Sequence, residues 1–305
     1  MTLCIVGNLN IDLMIYGLER LPGWGEEQFG KGRRAVTSGQ AGYMAIAAAS
    51  LGLPVSIIGV VGADDDGRKI QADLKEHGVD CSGISVIEGV STGLTVAIIR
   101  GDGERCFVSD VGASSAMSAE RIDNNWDVVA AADAMAVVGI FNTPRLELES
   151  IQRLFAKAQQ AGIYTVFDPG WDAAGWPKET RAKTLAVLPH VDLFLPNEDE
   201  ALAITDAADV HVALEQLAFA TSGQVVIKRG SKGSLALSNG EILEVTARPV
   251  EGANAVGAGD VYDAALVTAL RNGRNLHTAM AFAGRAAEYY VARLDDRYPS
   301  QADLA

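Results

Sequence analysis

Cysteine and histidine are scarce in this chain and are nowhere paired. The 305 residues include three cysteines, Cys4, Cys81 and Cys106, which lie far apart and form no Cys-x-x-Cys motif. The four histidines, at positions 77, 190, 211 and 277, are equally scattered. This distribution argues against a zinc site and against a disulfide framework, and it fits a reducing compartment.

Long apolar runs and an excess of basic residues are also missing. No apolar stretch is long enough to cross a bilayer, and the first residues, MTLCIVGNLNID, lack the pattern of a secretion signal. The 39 acidic and 25 basic residues give a formal net charge of -14, so nucleic acid and anionic membranes are expected to be repelled. We expect a soluble cytoplasmic protein, in which an anionic ligand needs a local pocket of cations, backbone amides or a metal.

The chain is rich enough in apolar residues to bury a large core, since 49% are hydrophobic and 21% are charged. From about residue 132 short apolar strands (AMAVVGI, YTVFDPG, VDLFLPN, QVVIKRG) alternate with helical segments. This alternation predicts a mostly parallel sheet with helices on both faces. Ligands bind such sheets at the carboxyl ends of the strands. The polar residues expected there are Asn142, Asp168, Asn197 and Lys228.

The N-terminal part has a different pattern, with hairpin-like segments such as TGLTVAIIRGDGERCFVSD around Gly101-Asp102-Gly103. No repeat or linker separates it from the remainder. The sequence therefore predicts one α/β domain over residues 1–305 that carries a small β appendage.

One motif near the C-terminal end joins small residues to an acid: Gly257-Ala258-Gly259-Asp260, followed by the helical pattern DVYDAALVTALRNG. No Gly-Lys-Ser/Thr follows, so it is not a P-loop. At a helix N-terminus the amides of Gly257, Ala258 and Gly259 are predicted to attract a phosphate, while Asp260 accepts a proton. The alternative is that Asp260 merely caps the helix.

Seven motifs in order resemble the PfkB family of carbohydrate kinases, which has the ribokinase-like fold. They are GNLNIDLMI, SGQAGYMAIAAASLG, VVGADDDGRKIQADLKEHGVD, FDPGW, PNEDEA, VVIKRGSKGSLAL and GAGDVYDAALVTAL. The resemblance implies a three-layer α/β/α fold whose β appendage, about residues 13–37 and 91–110, is a lid over the acceptor. It also implies transfer of the γ-phosphoryl group of ATP to a sugar-type hydroxyl, and a homodimer formed through the lid.

The resemblance also implies roles for single residues on the phosphate side. Asp260 matches the catalytic base, and the three residues before it match the anion hole. Asn197 and Glu200 match residues near the phosphates and Mg²⁺, the alternative being a polar turn that begins a helix. The nucleotide-binding segment is matched by Lys228, Gly230 and Gly233, with the alternative that Lys228 is a surface lysine.

On the acceptor side, Asn10 and Asp12 match residues that bind sugar hydroxyls, and a satisfied turn is their alternative. Gly39 and Gln40 fall in the loop that approaches the substrate, and Asn142 at a further strand end. Tyr43 stands where the family has asparagine, so it either stacks on a ring or fills the pocket. Asp168 is either a turn residue or a polar group on the phosphate side.

Two further departures bear on cations and substrate class. Asn254-Ala255-Val256 replaces the family's Asp-Thr, which argues against a monovalent-cation site, and Asp263 stands where asparagine is frequent. A sugar kinase is the leading hypothesis. The alternatives are a nucleoside kinase, in which Tyr43 stacks on a base, and a non-catalytic sugar-binding relative. A dinucleotide oxidoreductase fits least, because no Gly-x-Gly-x-x-Gly follows the first strand.

Overall fold

The computed structural model describes residues 2–101, 104–248, 250, 255–293 and 298–304. The strands in these ranges are β1 (Leu3–Gly7), β2 (Asn10–Leu18), β3 (Gly32–Ser38), β4 (Val55–Gly62), β5 (Asp80–Ile87), β6 (Gly93–Arg100), β7 (Arg105–Asp110), β8 (Ala134–Val138), β9 (Tyr164–Asp168), β10 (Leu193–Phe194), β11 (Gln224–Lys228), β12 (Ser234–Ser238) and β13 (Glu241–Val245). The helices are α1 (Gln40–Ser50), α2 (Asp65–Glu76), α3 (Ala119–Asn124), α4 (Trp126–Ala130), α5 (Leu148–Gln160), α6 (Lys178–Val187), α7 (Glu198–Thr205), α8 (Val210–Ala220), α9 (Ala258–Arg271) and α10 (Leu276–Val291).

Nine strands form one central sheet in the order β13-β12-β11-β10-β9-β8-β1-β4-β5. Neighbouring strands from β11 to β5 run parallel, whereas β12 and β13 are antiparallel additions at one edge. The four apolar runs predicted from residue 132 onward are β8, β9, β10 and β11. The expected mostly parallel sheet is therefore confirmed.

Helices cover both faces of this sheet, as the side chains of β1 illustrate. Leu3 and Ile5 point into one apolar cluster, which they share with residues of α1, α9 and α10. Cys4 and Val6 alternate with them and point into a second cluster, packed against α5, α7 and α8. Successive strand residues face opposite sides, so a strand that is apolar throughout must be covered twice. The three-layer α/β/α fold follows.

A second sheet of four strands, in the order β3-β2-β6-β7, stands apart from the central one. β2 begins at Asn10 and pairs with β3, whose last residue is Ser38. β6 and β7 form the predicted hairpin, with Ile99 opposite Arg105. Residues 102 and 103, the centre of the predicted turn, lie outside the described residues.

Within the described ranges, no helix is both long and apolar enough to span a membrane. The three cysteines are free.

Candidate active site

The carboxyl ends of β9, β10 and β11 open into a cavity of about 510 Å³. Ten of the residues predicted from the sequence line it: Gln40, Asp168, Asn197, Glu200, Lys228, Gly230, Gly233, Ala258, Gly259 and Asp260. The structure thus brings the predicted phosphate-side residues together. Asn10, Asp12, Gly39, Tyr43, Asn142 and Gly257 are not among the lining residues.

The first turn of α9 places the acid of the glycine motif in this cavity. Gly257 precedes the helix with φ 78°, a left-handed conformation that glycine adopts without strain. A Cβ there would lie 2.7 Å from Cδ1 of Tyr43, so the turn also needs glycine for space. Asp260 is the third helical residue, and Gly257 is the residue at the cap position. The interpretation of Asp260 as a mere helix cap is therefore wrong.

Backbone amides converge beside this carboxylate. The N–H groups of the first helical turn have no intrahelical acceptor, and the helix dipole adds positive potential there. Ala258 donates a long hydrogen bond of 3.3 Å to the carbonyl oxygen of Ala255. Gly259 and Asp260 follow it in the same turn, and all three residues line the cavity. The arrangement suits an anion that carries negative charge close to the backbone.

Asp260 is buried, and burial raises the pKa of its carboxyl well above 3.8. The negative charge of Asp168 raises this pKa further, while the charge of Lys228 and a hydrogen bond with Gln40 lower it. A carboxyl group with a raised pKa is a stronger base once it is ionised.

Lys228 is not a surface lysine. Its side chain is 12% exposed, and its Nζ lies 2.6 Å from Oδ2 of Asp168 and 2.7 Å from Oδ2 of Asp263. A Cβ built on Gly259 would come within 3.7 Å of this Nζ, so the ammonium lies beneath the first turn of α9. The ion pairs hold a positive charge next to the backbone amides of this turn.

The two carboxyl groups that hold Lys228 differ in their titration. Burial alone would raise the pKa of Asp168, but the charge of Lys228 and its hydrogen bonds bring this pKa below 3.8. Burial raises the pKa of Asp263 well above 3.8. Asp168 accepts from the N–H of Gly170 at 3.1 Å as well as from Lys228, and it lines the cavity. It is both a strand-end turn residue and part of the polar cluster, so the two alternatives for it are not exclusive.

Asn197 and Glu200 form a reciprocal cap at the start of α7. Oδ1 of Asn197 accepts from the Glu200 N–H at 2.9 Å, and Oε2 of Glu200 accepts from the Asn197 N–H at 2.9 Å. The helix-start alternative for these residues is thus correct as local structure, yet both also line the cavity. Burial, followed by the negative charge of Asp168, raises the pKa of Glu200 to about 8. A cation bound nearby would lower it again.

The other end of the cavity lies between β12, β13 and α10. Gly233 has φ 93°, and a Cβ there would lie 1.9 Å from the carbonyl oxygen of Val245. Gly230 also has a positive φ, of 53°, but has open space around it. Apolar side chains of Val245, Ala287 and Val291 line this end. This slot between β13 and α10 therefore has apolar walls, and Thr246, Arg248 and Glu288 add polar groups to it.

The predicted acceptor residues form a closed polar network instead of facing the cavity. Tyr43 donates from its hydroxyl group to Oδ2 of Asp12 at 2.8 Å. The hydroxyl of Ser38 and the amide of Asn10 donate to Oδ1 of Asp12, at 2.8 and 2.9 Å. Asp12 is 6% exposed and Tyr43 is 3% exposed. Of the two alternatives for Tyr43, the structure supports the one in which it fills the pocket.

The remaining predictions lie in different surroundings. Gly39, with φ 79°, precedes α1, and a Cβ there would meet the carbonyl oxygen of Asn8 at 2.2 Å. Gln40 follows it and reaches into the cavity. Asn142 is exposed at the end of a short turn after β8, away from the lining. Asn254, on which the prediction about a monovalent cation depends, lies outside the described residues.

Trp171, Arg105 and Arg248 are among the lining residues that were not predicted from the sequence. Trp171 follows the FDPG segment and is 51% exposed, and a bulky aromatic just after a strand-end turn was a usable signal. Arg105 comes from β7 in the second sheet, and Arg248 from the segment after β13. Neither arginine has a distinctive sequence context, because their place in the cavity depends on distant parts of the chain.

Comparisons with known proteins identify the family of this chain. The family model described as pfkB family carbohydrate kinase matches residues 2–303. A ribokinase of Bacillus subtilis is 25% identical over 289 residues, covering 95% of this chain and 92% of the relative. A fructokinase-1 of Oryza sativa is 27% identical over 251 residues, covering 79% of this chain and 77% of the relative.

Solved structures of low identity share the fold. An Arabidopsis thaliana ribokinase complexed with ribose and ATP superposes with a TM-score of 0.83 at 24% identity, covering 99% of this chain and 96% of that one. A candidate ribokinase II of Escherichia coli in complex with ATP and Mg²⁺ has a TM-score of 0.86 at 22% identity, with 99% and 97% covered. With the family match spanning almost every residue, the chain belongs to the pfkB family and is a carbohydrate kinase.

Proposed function

We propose that this kinase transfers the γ-phosphoryl group of ATP to a hydroxyl group, of the hydroxymethyl kind, on a small sugar or sugar-like acceptor. The observation that carries the proposal is the position of Asp260. Its buried carboxyl group lies in the same cavity as the first-turn amides of α9 and above the ammonium of Lys228. In this proposal Asp260 takes up the proton of the acceptor, and the amides and Lys228 stabilise the negative charge of the transferring phosphoryl group.

The proposed reaction needs no covalent intermediate on the protein. The acceptor oxygen forms a bond to the γ-phosphorus as its proton passes to Asp260, and the bond between the γ-phosphorus and the bridging oxygen breaks to release ADP. The amides of Ala258 and Gly259, together with Lys228, stabilise the negative charge on the transferring group. One well-placed donor of this kind contributes about 3 kcal/mol, and a positioned base about a hundredfold in rate or more.

ATP is proposed to lie with its phosphates near Lys228 and its adenine in the slot between β13 and α10. The slot has apolar walls, while Gly230 and Gly233 let the backbone approach the nucleotide. Two of the solved relatives contain ATP in their described complexes. Arg248, at the same end, adds a cation.

Magnesium fits the charge balance of the site. The carboxyl groups of Asp168, Glu200, Asp260 and Asp263 surround one ammonium, that of Lys228, in the described part of the chain. Oxygen atoms of the three aspartates lie within 4.8 Å of one another. Because Lys228 already occupies the space between Asp168 and Asp263, Glu200 is the better-placed oxygen ligand for Mg²⁺, which would neutralise phosphate charge when bound.

The second sheet is proposed to act as a lid, and its β7 as part of a homodimer interface. Arg105 of β7 lines the cavity, so this sheet contributes to the site.

Phe107 and Val108 on the same strand are 48% and 67% exposed, which is unusual for large apolar side chains that have no partner. Sedimentation of wild type and of Val108→Glu tests the interface, and a dimer that persists in the variant would contradict it.

The kinase proposal is tested with Asp260→Asn and a panel of sugars and nucleosides, scored for acceptor-dependent release of ADP. Asp260→Asn is expected to fold and bind ATP but to lose transfer at least a hundredfold, because an amide cannot accept the proton. The exposed Asp127→Asn, which removes the same charge from α4, is the control. Near wild-type turnover in Asp260→Asn would falsify the assignment of the base.

A further inference from the structure

The carboxylate expected to bind the acceptor is shielded by Tyr43. Both oxygens of Asp12 already accept hydrogen bonds, from Tyr43 on one side and from Ser38 and Asn10 on the other. The Tyr43 ring continues from Asp12 to Gly257, where even one added carbon would meet it at 2.7 Å. An acceptor hydroxyl that reached Asp12 would have to displace a buried tyrosine, so the acceptor needs other partners.

Such partners exist at the β9 end of the cavity. Gln40 reaches this end, because Cβ atoms on Gly170 and Gly139 would lie 2.3 and 3.0 Å from its Oε1. Gln40 lines the same cavity as Asp260, and its side chain lowers the pKa of the Asp260 carboxyl group. A polar side chain that shares a cavity with the proposed base is well placed to orient a reacting hydroxyl.

An aromatic wall stands next to Gln40. Trp171 directly follows Gly170, lines the cavity and is half exposed. Its ring packs edge-on against Trp176 at 6.3 Å, and Trp176 packs edge-on against Phe141 at 5.0 Å. The indole is therefore supported from behind and keeps half of its surface for a ligand. The apolar face of a sugar ring stacks on such a surface.

A cation from the second sheet also lines this cavity. Arg105 is the first residue of β7, where it pairs with Ile99 of β6, and it lines the same cavity as Gln40 and Trp171. The Arg105 guanidinium forms no hydrogen bond or ion pair with a described residue, in contrast to Lys228. In a chain of net charge -14, an arginine that lines a cavity and has no partner among the described residues is suited to an anionic group.

We propose that the acceptor binds between Gln40, Trp171 and Arg105, not at Asp12, and that it is an anionic sugar derivative carrying a carboxylate or a phosphate. Trp171 contacts its ring, Arg105 pairs with its negative group, and Gln40 directs a hydroxyl towards Asp260. This inference deepens the proposed kinase function and rests on it for the identity of the reaction. An acceptor can bind without being phosphorylated, so the subsite and the kinase reaction are tested separately.

Calorimetry with the full wild-type chain, without nucleotide and again with ADP, tests the subsite. The probes are matched pairs: D-glucose with D-gluconate, and D-ribose with D-ribose 1-phosphate, whose hydroxymethyl group is free. We expect the acidic member of at least one pair to bind about tenfold more tightly than its neutral partner, as a charge-assisted hydrogen bond implies. Preference for gluconate identifies a carboxylate, and preference for ribose 1-phosphate identifies a phosphate.

Three variants connect the preference to the subsite. Arg105→Gln is expected to abolish the preference for the acid, whereas Arg153→Gln, which removes an arginine from α5, keeps it. Trp171→Ala is expected to weaken binding of the acid and its neutral partner about tenfold. Asp12→Asn is expected to change either affinity less than about threefold.

Opposite results would overturn the inference even if the protein is a kinase. They are equal affinity for acids and neutral sugars, no binding of either acid, or a preference that survives in Arg105→Gln. Loss of binding in Asp12→Asn with normal binding in Trp171→Ala would return the acceptor to Asp12. Binding as expected, with no release of ADP from ATP for any acceptor, would refute the kinase proposal and leave this subsite intact.

Discussion

Lys228 and Asp263 form an ion pair, with 2.7 Å between Nζ and Oδ2, directly beneath the first turn of α9. The same ammonium binds Asp168 at 2.6 Å, so it joins strands β9 and β11 to α9. Because the two carboxylates and the lysine come from three different elements, the position of the ammonium depends on how β9, β11 and α9 pack together. The cluster fixes a cation where the proposed reaction needs one.

Removal of this cation is expected to cost much of the protein's stability. Lys228→Met leaves Asp168 and Asp263 buried without a cation, for which a loss of about 3–5 kcal/mol in the free energy of unfolding is expected at pH 8. The loss should be smaller at pH 5, where more of the carboxyl groups carry protons. Urea titrations at the two pH values measure it.

The matched control for that variant is Lys183→Met. Lys183 pairs with Glu149 and Glu179 at the surface, and exposed pairs of this kind contribute about 1 kcal/mol or less. Equal losses in the two variants would contradict the role given to the buried cluster.

Asp260 is expected to destabilise the folded protein as pH rises. Its folded-state pKa lies well above 3.8, so its favourable contribution is complete below pH 3.8 and is lost as pH rises through the folded-state value. Asp260→Asn should therefore melt at a higher temperature than wild type, by a margin that grows from pH 5 to pH 8. Calorimetric scans across this range measure the margin, and a constant difference would argue against an elevated pKa.

Glu200 gives a sharper pH window because its pKa is raised to about 8. A glutamine at this position still accepts from the Asn197 N–H, so Glu200→Gln keeps the cap of α7 and removes only the charge. The variant is expected to gain stability relative to wild type between pH 4.5 and 8 and to gain nothing further above that. The exposed Glu215→Gln on α8 should stay within about 0.5 kcal/mol throughout. A gain that is already complete at pH 5 would contradict the raised pKa.

Gly233 is expected to tolerate no side chain. Gly233→Ala would place Cβ 1.9 Å from the Val245 carbonyl oxygen at a positive φ, so β12 and β13 must shift, at a cost of at least about 2 kcal/mol. Gly240→Ala has a similar φ of 80° but open space, and about 1 kcal/mol is expected there. Chemical denaturation separates the two, and nucleotide affinity should fall only in Gly233→Ala. Equal losses of stability in the two variants would show that the positive φ, and not the contact with Val245, determines the cost of a side chain.

The hydroxyl group of Tyr43 is expected to matter for folding. Tyr43→Phe keeps the ring against Gly257 but leaves Oδ2 of the buried Asp12 without its donor, for an expected loss of about 1–3 kcal/mol. Tyr16→Phe, which removes a partly buried hydroxyl that donates to the sulfur of Met14 at 3.1 Å, should cost less. A smaller loss for Tyr43→Phe than for Tyr16→Phe would mean that water replaces the donor.

Local sequence was sufficient for much of the fold and for the phosphate side of the site. Strands β8, β9, β10 and β11 are continuous apolar runs, and their ends carry the polar residues that meet at one edge of the sheet. Gly257 and Asp260 are neighbours in the chain, so a helix that begins there brings them together without long-range information. The position of Lys228 at a strand end was equally predictable, but its two ion-pair partners were not.

The acceptor side shows where that reasoning failed. Asp12 and Tyr43 are 31 residues apart, and nothing local indicates that the phenol donates to the carboxylate. Asn142 follows a strand end as expected, yet the turn after β8 leaves it exposed. Arg105 enters the cavity only because a hairpin of the second sheet extends that far.

The sequence by itself determined the periodicity of strands and helices and the turns at Gly257 and Gly233, since backbone conformation and apolar patterning are short-range properties. Only the tertiary structure decided which carboxylate carries charge, because burial and neighbouring charges come from segments far apart in the chain. The ionisation of Glu200, Asp260 and Asp263 is set by how α7, α9 and β11 pack around Lys228, and no local pattern encodes that packing.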